Sequence, residues 1–223
     1  MRSWLLAVCM LFIGILGVAI VYMYMYIAMP DDCRPLETHM TDNGIVEVVS
    51  DSCKEGMPHT TDSETIRMPL TVWNGSNRES ILIHERVHLS QKRNPELWSE
   101  FYRRHWDYEI TATVPAGIPS VYVANRRPNP DTDAAPWAIW RRRYLFFPTY
   151  EQAGVPRLKN AQVQVWDLDT NQLVPIPEAW YSQFCVNREL PHQYEHPHEL
   201  SAEFLTLGAS CVAAKDLRSW WLG

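Results

Sequence analysis

The pattern of hydrophobic and polar positions divides the chain first at residue 30. Trp4 to Met29 contains no charged residue, and Pro30, Asp31 and Asp32 end this run. A helix of this length, rising about 1.5 Å per residue, exceeds a hydrocarbon core of about 30 Å. The apolar part of a cleaved secretory signal is shorter, at about 7–15 residues. The pattern therefore predicts an uncleaved transmembrane signal anchor over residues 1–30, with residues 4–29 in the membrane.

The charges that flank this run predict its orientation. Arg2 and the amino terminus precede the run, whereas Asp31, Asp32 and Arg34 follow it. Positively charged flanks favour the cytoplasmic side of a membrane. We therefore expect a single-pass membrane protein with a short cytoplasmic N-terminus and the rest of the chain on the extracytoplasmic side.

Beyond the run, the pattern predicts a stalk followed by one folded domain. Residues 31–66 are polar and rich in turn-forming residues, with one strand-like run at Ile45–Val49. They indicate a stalk or linker, and the domain then spans residues 67–223. Within it, short apolar runs at Leu70–Trp73 and Val121–Ala124 predict strands.

Two consecutive helices are predicted early in this domain. Ser76 and Glu79 form a Ser-x-x-Glu capping box, which is typical of a helix start. The helix that follows ends at Asn94 and Pro95. Because proline suits the first position of a helix, a second helix is expected from there to about Trp106.

The later part of the domain mixes strands and helices. Residues 110–160 are proline-rich and irregular, whereas Ala161–Leu168 alternates polar and apolar residues and pairs with Leu173–Ile176 in a predicted hairpin. A last helical region begins at Pro197 and runs to Leu207, with Gly208 in the position of a C-terminal cap. This order of elements predicts an α+β fold.

Composition and charge narrow the class of protein. Hydrophobic residues make up 46% of the chain and charged residues 21%, which excludes wholesale disorder. The formal net charge is −6, and there is no long basic run. A chain of this charge is poorly suited to binding phosphate backbones, so we expect no nucleic-acid partner.

Four cysteines follow the uncharged run, namely Cys33, Cys53, Cys185 and Cys211. Four cysteines in a translocated domain allow two disulfides and three connectivities. Sequence proximity favours the pairs Cys33–Cys53 and Cys185–Cys211. A glycosylation sequon at residues 74–76 would make the protein a glycoprotein if the domain enters a eukaryotic lumen.

The strongest chemical signal is the H-E-x-x-H pattern of His84, Glu85 and His88. Residues four apart share one face of a helix, so both imidazoles can reach one metal ion. Glu85 is offset by about 100° and lies beside that ion, where it can take a proton from a bound water, whose pKa zinc lowers to about 7. The pattern predicts a Zn²⁺ site with Glu85 as general base. A surface helix with two ordinary histidines is the alternative.

Zinc requires a third protein ligand, and the candidates for it lie outside the H-E-x-x-H motif. Nearby candidates are Glu96, Glu100 and His105. The stronger candidates are Glu199 and Glu203, which lie four apart and share one face of the last predicted helix. One carboxylate can bind zinc while the other accepts a hydrogen bond from the far nitrogen of a ligand histidine. A solvated acidic helix start, favoured by the helix dipole, is the alternative.

These residues resemble the gluzincin branch of the zincin metallopeptidases, the thermolysin-like group. The resemblance rests on two short motifs, His84-Glu85-x-x-His88 and Glu199-x-x-Ala202-Glu203. It implies that His84, His88 and Glu199 bind zinc, that Glu85 is the catalytic base, and that Glu203 supports a ligand histidine. It also implies a single zincin-like domain with an active-site helix, a small sheet, a later ligand-bearing helix and a polypeptide substrate.

Two hypotheses for function follow from this resemblance. The first is a membrane-anchored zinc-dependent peptidase in which Glu85 activates water. The second is a catalytically inactive zincin-fold protein with a binding or structural role at a membrane, which the Trp- and Arg-rich run Trp137–Arg143 favours. The run His84–Gln91 is also similar to uncharacterised zincin-like membrane proteins of large DNA viruses. Candidate oxyanion donors are the polar residues His192, Tyr194, His196 and His198.

Overall fold

The structure, a computed structural model, describes residues 33–150, 161–186 and 194–222. Within these ranges the chain forms nine strands and seven helices. The strands are β1 (Glu37–Thr41), β2 (Gly44–Val49), β3 (His59–Thr60), β4 (Thr65–Pro69), β5 (Tyr108–Thr111), β6 (Trp137–Trp140), β7 (Tyr144–Tyr150), β8 (Ala161–Asp167) and β9 (Gln172–Val174). The helices are α1 (Leu70–Trp73), α2 (Arg78–Arg93), α3 (Pro95–His105), α4 (Ser120–Ala124), α5 (Glu178–Phe184), α6 (Pro197–Leu207) and α7 (Val212–Leu222).

The first sheet has the strand order β1-β2-β4-β3. β1 and β2 form an antiparallel hairpin, β2 runs parallel to β4, and β3 runs antiparallel to β4. β2 begins at Gly44, whose φ is 140° and where a Cβ atom would lie 2.3 Å from the carbonyl oxygen of Glu64. Only glycine fits there, so this position fixes how closely β2 approaches the segment leading into β4.

This first sheet supports the helix that carries the H-E-x-x-H motif. Its strands come from residues 37–69, so the segment 31–66, predicted as a stalk, contributes β1, β2, β3 and the start of β4. Its buried side chains pack against α2 in one apolar cluster, formed by Val46, Ile66, Met68, Leu82 and Leu89. Burial of this face therefore fixes the position of α2.

The second sheet is an antiparallel meander with the order β5-β6-β7-β8-β9. The predicted hairpin forms as β8 and β9, with Trp166 opposite Leu173. The main core lies between this sheet and helices α3, α5, α6 and α7, and it is dominated by buried aromatic side chains, including Trp98, Trp106, Trp140, Phe146 and Trp180. Large aromatic rings account for much of the apolar burial available to a chain of this size.

Local prediction was wrong at two short apolar runs. Leu70–Trp73 and Val121–Ala124, expected to be strands, form α1 and α4. Each run directly follows a proline, Pro69 or Pro119, which occupies the N-cap position in extended conformation. Runs of four or five residues have too little periodicity to distinguish a strand from a helical turn.

The long helices were located correctly, although one predicted cap is absent. α2 begins at Arg78, with Asn77 at the N-cap and no side-chain hydrogen bond to the helix start, so the Ser76–Glu79 capping box does not form. α3 begins with Pro95 in its first turn, as the sequence predicts. α6 ends at Gly208, which is in the left-handed conformation with φ 71°, as expected for a C-terminal cap.

The predicted fold class needs two corrections. The described chain is α+β, but it has two sheets rather than one small sheet, because the predicted stalk supplies β1, β2 and β3. In residues 33–150, 161–186 and 194–222, no helix has the length and apolar character needed to cross a bilayer. The longest of these helices, α2, has 16 residues and is about 24 Å long, shorter than a hydrocarbon core of about 30 Å.

The transmembrane element and the single-pass localisation are corrected accordingly. The described chain supports neither of them. Residues 4–29, on which both predictions rested, lie outside the described residues.

One of the two favoured cysteine pairs forms a disulfide. Cys33 is bonded to Cys53 across a separation of 20 residues, and both side chains are buried against Val49. Closing a loop of this length typically stabilises a protein by about 3 kcal/mol. Cys185 and Cys211 are free thiols, the first exposed and the second buried, so the second favoured pair is not bonded in the structure.

Candidate metal centre

Three predicted ligands bring their donor atoms together at one point. His84 Nε2 lies 3.1 Å from His88 Nε2 and 3.4 Å from Glu199 Oε2. His88 Nε2 lies 3.6 Å from the same carboxylate oxygen. Ligand atoms of a tetrahedral Zn²⁺ with bonds of about 2.0–2.2 Å are separated by about 3.3–3.6 Å. The three separations, 3.1–3.6 Å, are therefore close to those that one tetrahedral ion requires.

The packing of α2 against α6 accounts for this convergence. His84 and His88 lie one turn apart on α2, and Glu199 lies in the first turn of α6. The contacting face of α6 carries small residues, since Ser201 and Ala202 are fully buried there. Small side chains let two helices approach closely, which brings the carboxylate within reach of both imidazoles.

Glu199 is oriented by a contact that the sequence did not predict. Asn129 Nδ2 donates a hydrogen bond of 2.8 Å to Glu199 Oε1, which leaves Oε2 facing the histidines. Burial would raise the pKa of Glu199, but the charge on His88 and hydrogen bonds from His84 and His88 hold it well below its usual range. The carboxylate is therefore ionised and has one oxygen available for a cation.

Glu203 lies outside the ligand triangle. Its Oε2 is 3.8 Å from His84 Nδ1, the ring nitrogen that does not face Glu199. Burial, together with the charge of Glu199, raises the pKa of Glu203. Glu203 therefore lies beside a histidine and away from the point where the donor atoms meet, at a distance longer than a hydrogen bond.

His88 is held by a buried hydrogen-bond network centred on Gln91. The amide nitrogen of Gln91 lies 3.1 Å from the carbonyl oxygen of His198, and it also donates to Tyr102 and Ser201. A carbonyl oxygen can only accept, so the other end of the amide, Oε1, must face His88 Nδ1 at 2.7 Å. His88 therefore donates from Nδ1, and its Nε2 is the nitrogen directed at the centre.

The electrostatics of His88 match this arrangement. Burial would lower its pKa, but the negative charges of Glu199 and Asp131 raise it to about 10. Without a metal, His88 carries a proton on Nε2 at neutral pH. Because metal ligands must be deprotonated, a cation would take the place of that proton while Gln91 continues to hold Nδ1.

We expect Gln91→Leu to weaken zinc binding about 10–100-fold, the usual effect of losing a residue that orients a ligand histidine. Leucine fills a similar volume but cannot accept the Nδ1 proton of His88. The measurement is zinc affinity by competition with a chromophoric chelator. Ser201→Ala is the matched control, because it removes one partner of Gln91 and leaves the bond to His88. Equal zinc affinity in Gln91→Leu and wild type would show that Gln91 only fills space.

Glu85 is buried between the centre and Asp131. It is 4% exposed, and it lines the same cleft as the three ligands. Burial raises its pKa well above the usual range, and the charges of Asp131 and Glu199 raise it further. Its Oε2 has no hydrogen-bond partner among the described residues. A raised pKa makes the ionised carboxylate a stronger proton acceptor, which suits a general base.

The cleft that contains these residues has a volume of about 350 Å³. Its walls come from α2, from the loop Arg127–Asp131 and from α6, and its rim includes the apolar side chains of Met57, Ile81 and Leu207. A cleft of this size can hold a short stretch of extended polypeptide.

The other sequence candidates for the site are placed elsewhere. Glu96 and His105 are exposed, and Glu100 forms ion pairs with Arg103 and Arg104 on its own helix. Among the candidate oxyanion donors, His196 hydrogen-bonds the carbonyl oxygen of Ala135 and His198 that of Asp131. Tyr194 is partly buried near Glu203, and His192 lies outside the described residues.

Sequence reasoning missed four polar residues that complete the site. Gln91 is three residues after His88, so helical spacing could have indicated it. Arg127, Asn129 and Asp131 belong to the proline-rich stretch that has no periodicity. They reach the cleft through the tertiary fold, and no local pattern marks them.

Comparison with known proteins does not identify a family for this site. The chain matches no protein-family model, no curated protein and no solved structure. The likeness to gluzincins therefore rests on the site residues, and zinc binding and peptide hydrolysis remain predictions.

Proposed function

We propose that the protein is a zinc-dependent peptidase. The observation that carries this proposal is the convergence of His84 Nε2, His88 Nε2 and Glu199 Oε2 within 3.1–3.6 Å of one another. Two imidazoles and one carboxylate are a ligand set typical of catalytic zinc, which keeps a fourth position for water or substrate. Glu85 adds an ionisable group beside the ligands in the same cleft.

The residues of the chain take distinct roles in this proposal. His84, His88 and Glu199 would hold the zinc ion, which supplies an activated water and polarises the substrate carbonyl. Glu85 accepts the proton of the attacking water and passes it to the leaving amine. Gln91 keeps the donor nitrogen of His88 in place, as its bond to Nδ1 supports.

A second group of residues makes an inactive metal-binding protein the competing candidate. Glu85, His88 and Asp131 also have donor atoms near one another, and all three are buried. In that arrangement Glu85 would be a ligand and could not serve as base. However, Asp131 Oδ1 already accepts hydrogen bonds from the backbone and hydroxyl of Thr60 and lies 3.8 Å from Lys92 Nζ. Glu199, in contrast, directs its Oε2 at both histidine nitrogens, which favours the group that contains Glu199.

Metal analysis combined with peptide turnover tests the proposal. We expect about one zinc ion per purified full-length chain, and cleavage of a quenched fluorescent peptide library that stops on chelation and returns with added zinc. Zinc bound at this ratio without cleavage of any peptide would instead support the inactive, metal-binding candidate.

A further inference from the structure

Arg127 is a buried arginine in the wall of the candidate cleft. It is 3% exposed and lines the cleft together with the three ligand residues. Its backbone nitrogen donates a 2.8 Å hydrogen bond to the carbonyl oxygen of Pro148 in β7. The backbone of Arg127 is therefore attached to the second sheet, and its side chain lines the cleft.

The donors of this guanidinium are poorly satisfied. One terminal nitrogen, Nη2, donates to the thioether sulfur of Met57 at 2.8 Å, and thioethers are weak acceptors. The hydroxyl of Tyr150 also accepts from the group. Nε has no hydrogen-bond partner among the described residues. A buried arginine normally has its five N–H groups matched by strong acceptors, so the site has capacity for a further oxygen ligand.

The carboxylate nearest to Arg127 compensates its charge only in part. Glu195 Oε1 is 3.8 Å from Arg127 Nη1, longer than a hydrogen bond. Burial and the charge of Glu199 raise the pKa of Glu195 to about 7, whereas arginine stays charged at every physiological pH. The cleft wall therefore carries a cation whose neighbouring carboxylate is too distant for a hydrogen bond.

Arg127 is close enough to the ligands to contact the same substrate molecule. Asn129 Nδ2 lies 3.2 Å from Glu195 Oε1 and 2.8 Å from Glu199 Oε1. A short relay of side chains thus connects Arg127 to the third ligand. Because Arg127 and the three ligand residues line one cleft, a peptide that occupies the cleft can reach both.

We propose that Arg127 binds a carboxylate group of the polypeptide substrate. The planar guanidinium can hold a carboxylate through two parallel hydrogen bonds, a geometry that the thioether of Met57 does not provide. The carboxylate comes either from the C-terminus of the substrate or from an aspartate or glutamate side chain. This inference rests on the proposed peptidase function and names the class of substrate.

Matched peptides separate the two sources. One series has the same sequence with a C-terminal carboxylate or carboxamide, and the other has an internal aspartate or asparagine near the cleaved bond. We expect kcat/KM to be at least about 10-fold higher for the carboxylate member of one series, since a hydrogen bond to a charged group is worth that factor. Arg127→Gln should remove this preference, so that the charged and neutral members of each series give similar kcat/KM. Equal kcat/KM within both pairs for wild type would overturn the inference.

Arg126→Gln is the matched control, because Arg126 lies one position earlier, over the Trp137 ring, and does not line the cleft. It should keep the preference. Arg127→Lys keeps the charge but not the planar fork, so it should retain only part of the preference. This variant tests the inference if Arg127→Gln does not fold.

Binding to zinc-loaded Glu85→Gln protein separates failure of the inference from failure of the peptidase proposal. Peptide binding by tryptophan fluorescence needs no turnover, so it tests the site even if wild type cleaves nothing. Tighter binding of the carboxylate peptide that disappears in Glu85→Gln/Arg127→Gln supports the inference. Identical binding of charged and neutral peptides contradicts it and leaves the peptidase proposal to be judged by cleavage alone.

Discussion

Replacing Glu85 by glutamine is expected to lower peptide hydrolysis by about 100-fold or more without loss of zinc, because a positioned general base contributes at least that factor. Glutamine has nearly the same shape but cannot accept the proton of the attacking water. The three ligand side chains are unchanged, so the zinc content should remain near one per chain. Steady-state kinetics and metal analysis on the same preparation measure both quantities.

The same variant should not destabilise the metal-free fold. Burial and the charge of Asp131 raise the folded-state pKa of Glu85, so its contribution to stability is present below the unfolded pKa and is lost as pH rises through the folded pKa. Glutamine is neutral at every pH. The melting temperature of metal-free Glu85→Gln should therefore equal or exceed that of metal-free wild type. The difference should grow as pH rises from the unfolded to the folded pKa of Glu85.

Glu79→Gln is the control, because it removes an exposed carboxylate from the first turn of the same helix. It should leave hydrolysis unchanged. Full activity in Glu85→Gln would show that Glu85 is not the base.

Removing the carboxylate of Glu199 is expected to abolish zinc retention. Glu199→Ala deletes one of three converging donor atoms, and two histidines alone do not complete a zinc site. Glu203→Ala should weaken zinc binding only about 10–100-fold, because Glu203 contacts a ligand histidine rather than the ion. Zinc content after dialysis, followed by titration with a competing chelator, distinguishes the two variants.

Comparing the zinc content of Glu199→Ala with that of Asp131→Ala decides between the two candidate groups of metal ligands. If Glu199→Ala keeps its zinc and Asp131→Ala loses it, the ion is bound by Glu85, His88 and Asp131. Glu85 would then be a ligand, and the proposed mechanism would be wrong.

The parts of the site that the sequence predicted are those fixed by helical periodicity. His84 and His88 share a face because they are four residues apart, and the same spacing relates Glu199 to Glu203. Ala202 is fully buried in the contacting face of α6. The packing of α2 against α6 joins segments far apart in the sequence. Only the resemblance of the two motifs to gluzincins indicated that these helices would meet.

The parts that were missed depend on tertiary structure. Asn129 contacts a carboxylate 70 residues later in the chain, and Arg127 contacts Met57, 70 residues earlier. Neither has a neighbour in sequence that would mark it. In the same way, residues 31–66 have a polar, turn-rich composition, but three strands of the first sheet form within them, and strand pairing satisfies the backbone groups of those strands.

The candidate ligands come from two helices that are far apart in the sequence, so a bound ion would also stabilise the fold. His84 and His88 come from α2, whereas Glu199 comes from α6 near the other end of the chain. An ion held by all three would act as a removable cross-link, closing a long loop whose entropy the unfolded chain otherwise keeps. Since ligands that bind only the folded state stabilise it by mass action, removal of a bound ion would also raise the population of the unfolded chain. Proteases cleave the unfolded chain more readily, so metal depletion would shorten the lifetime of the protein.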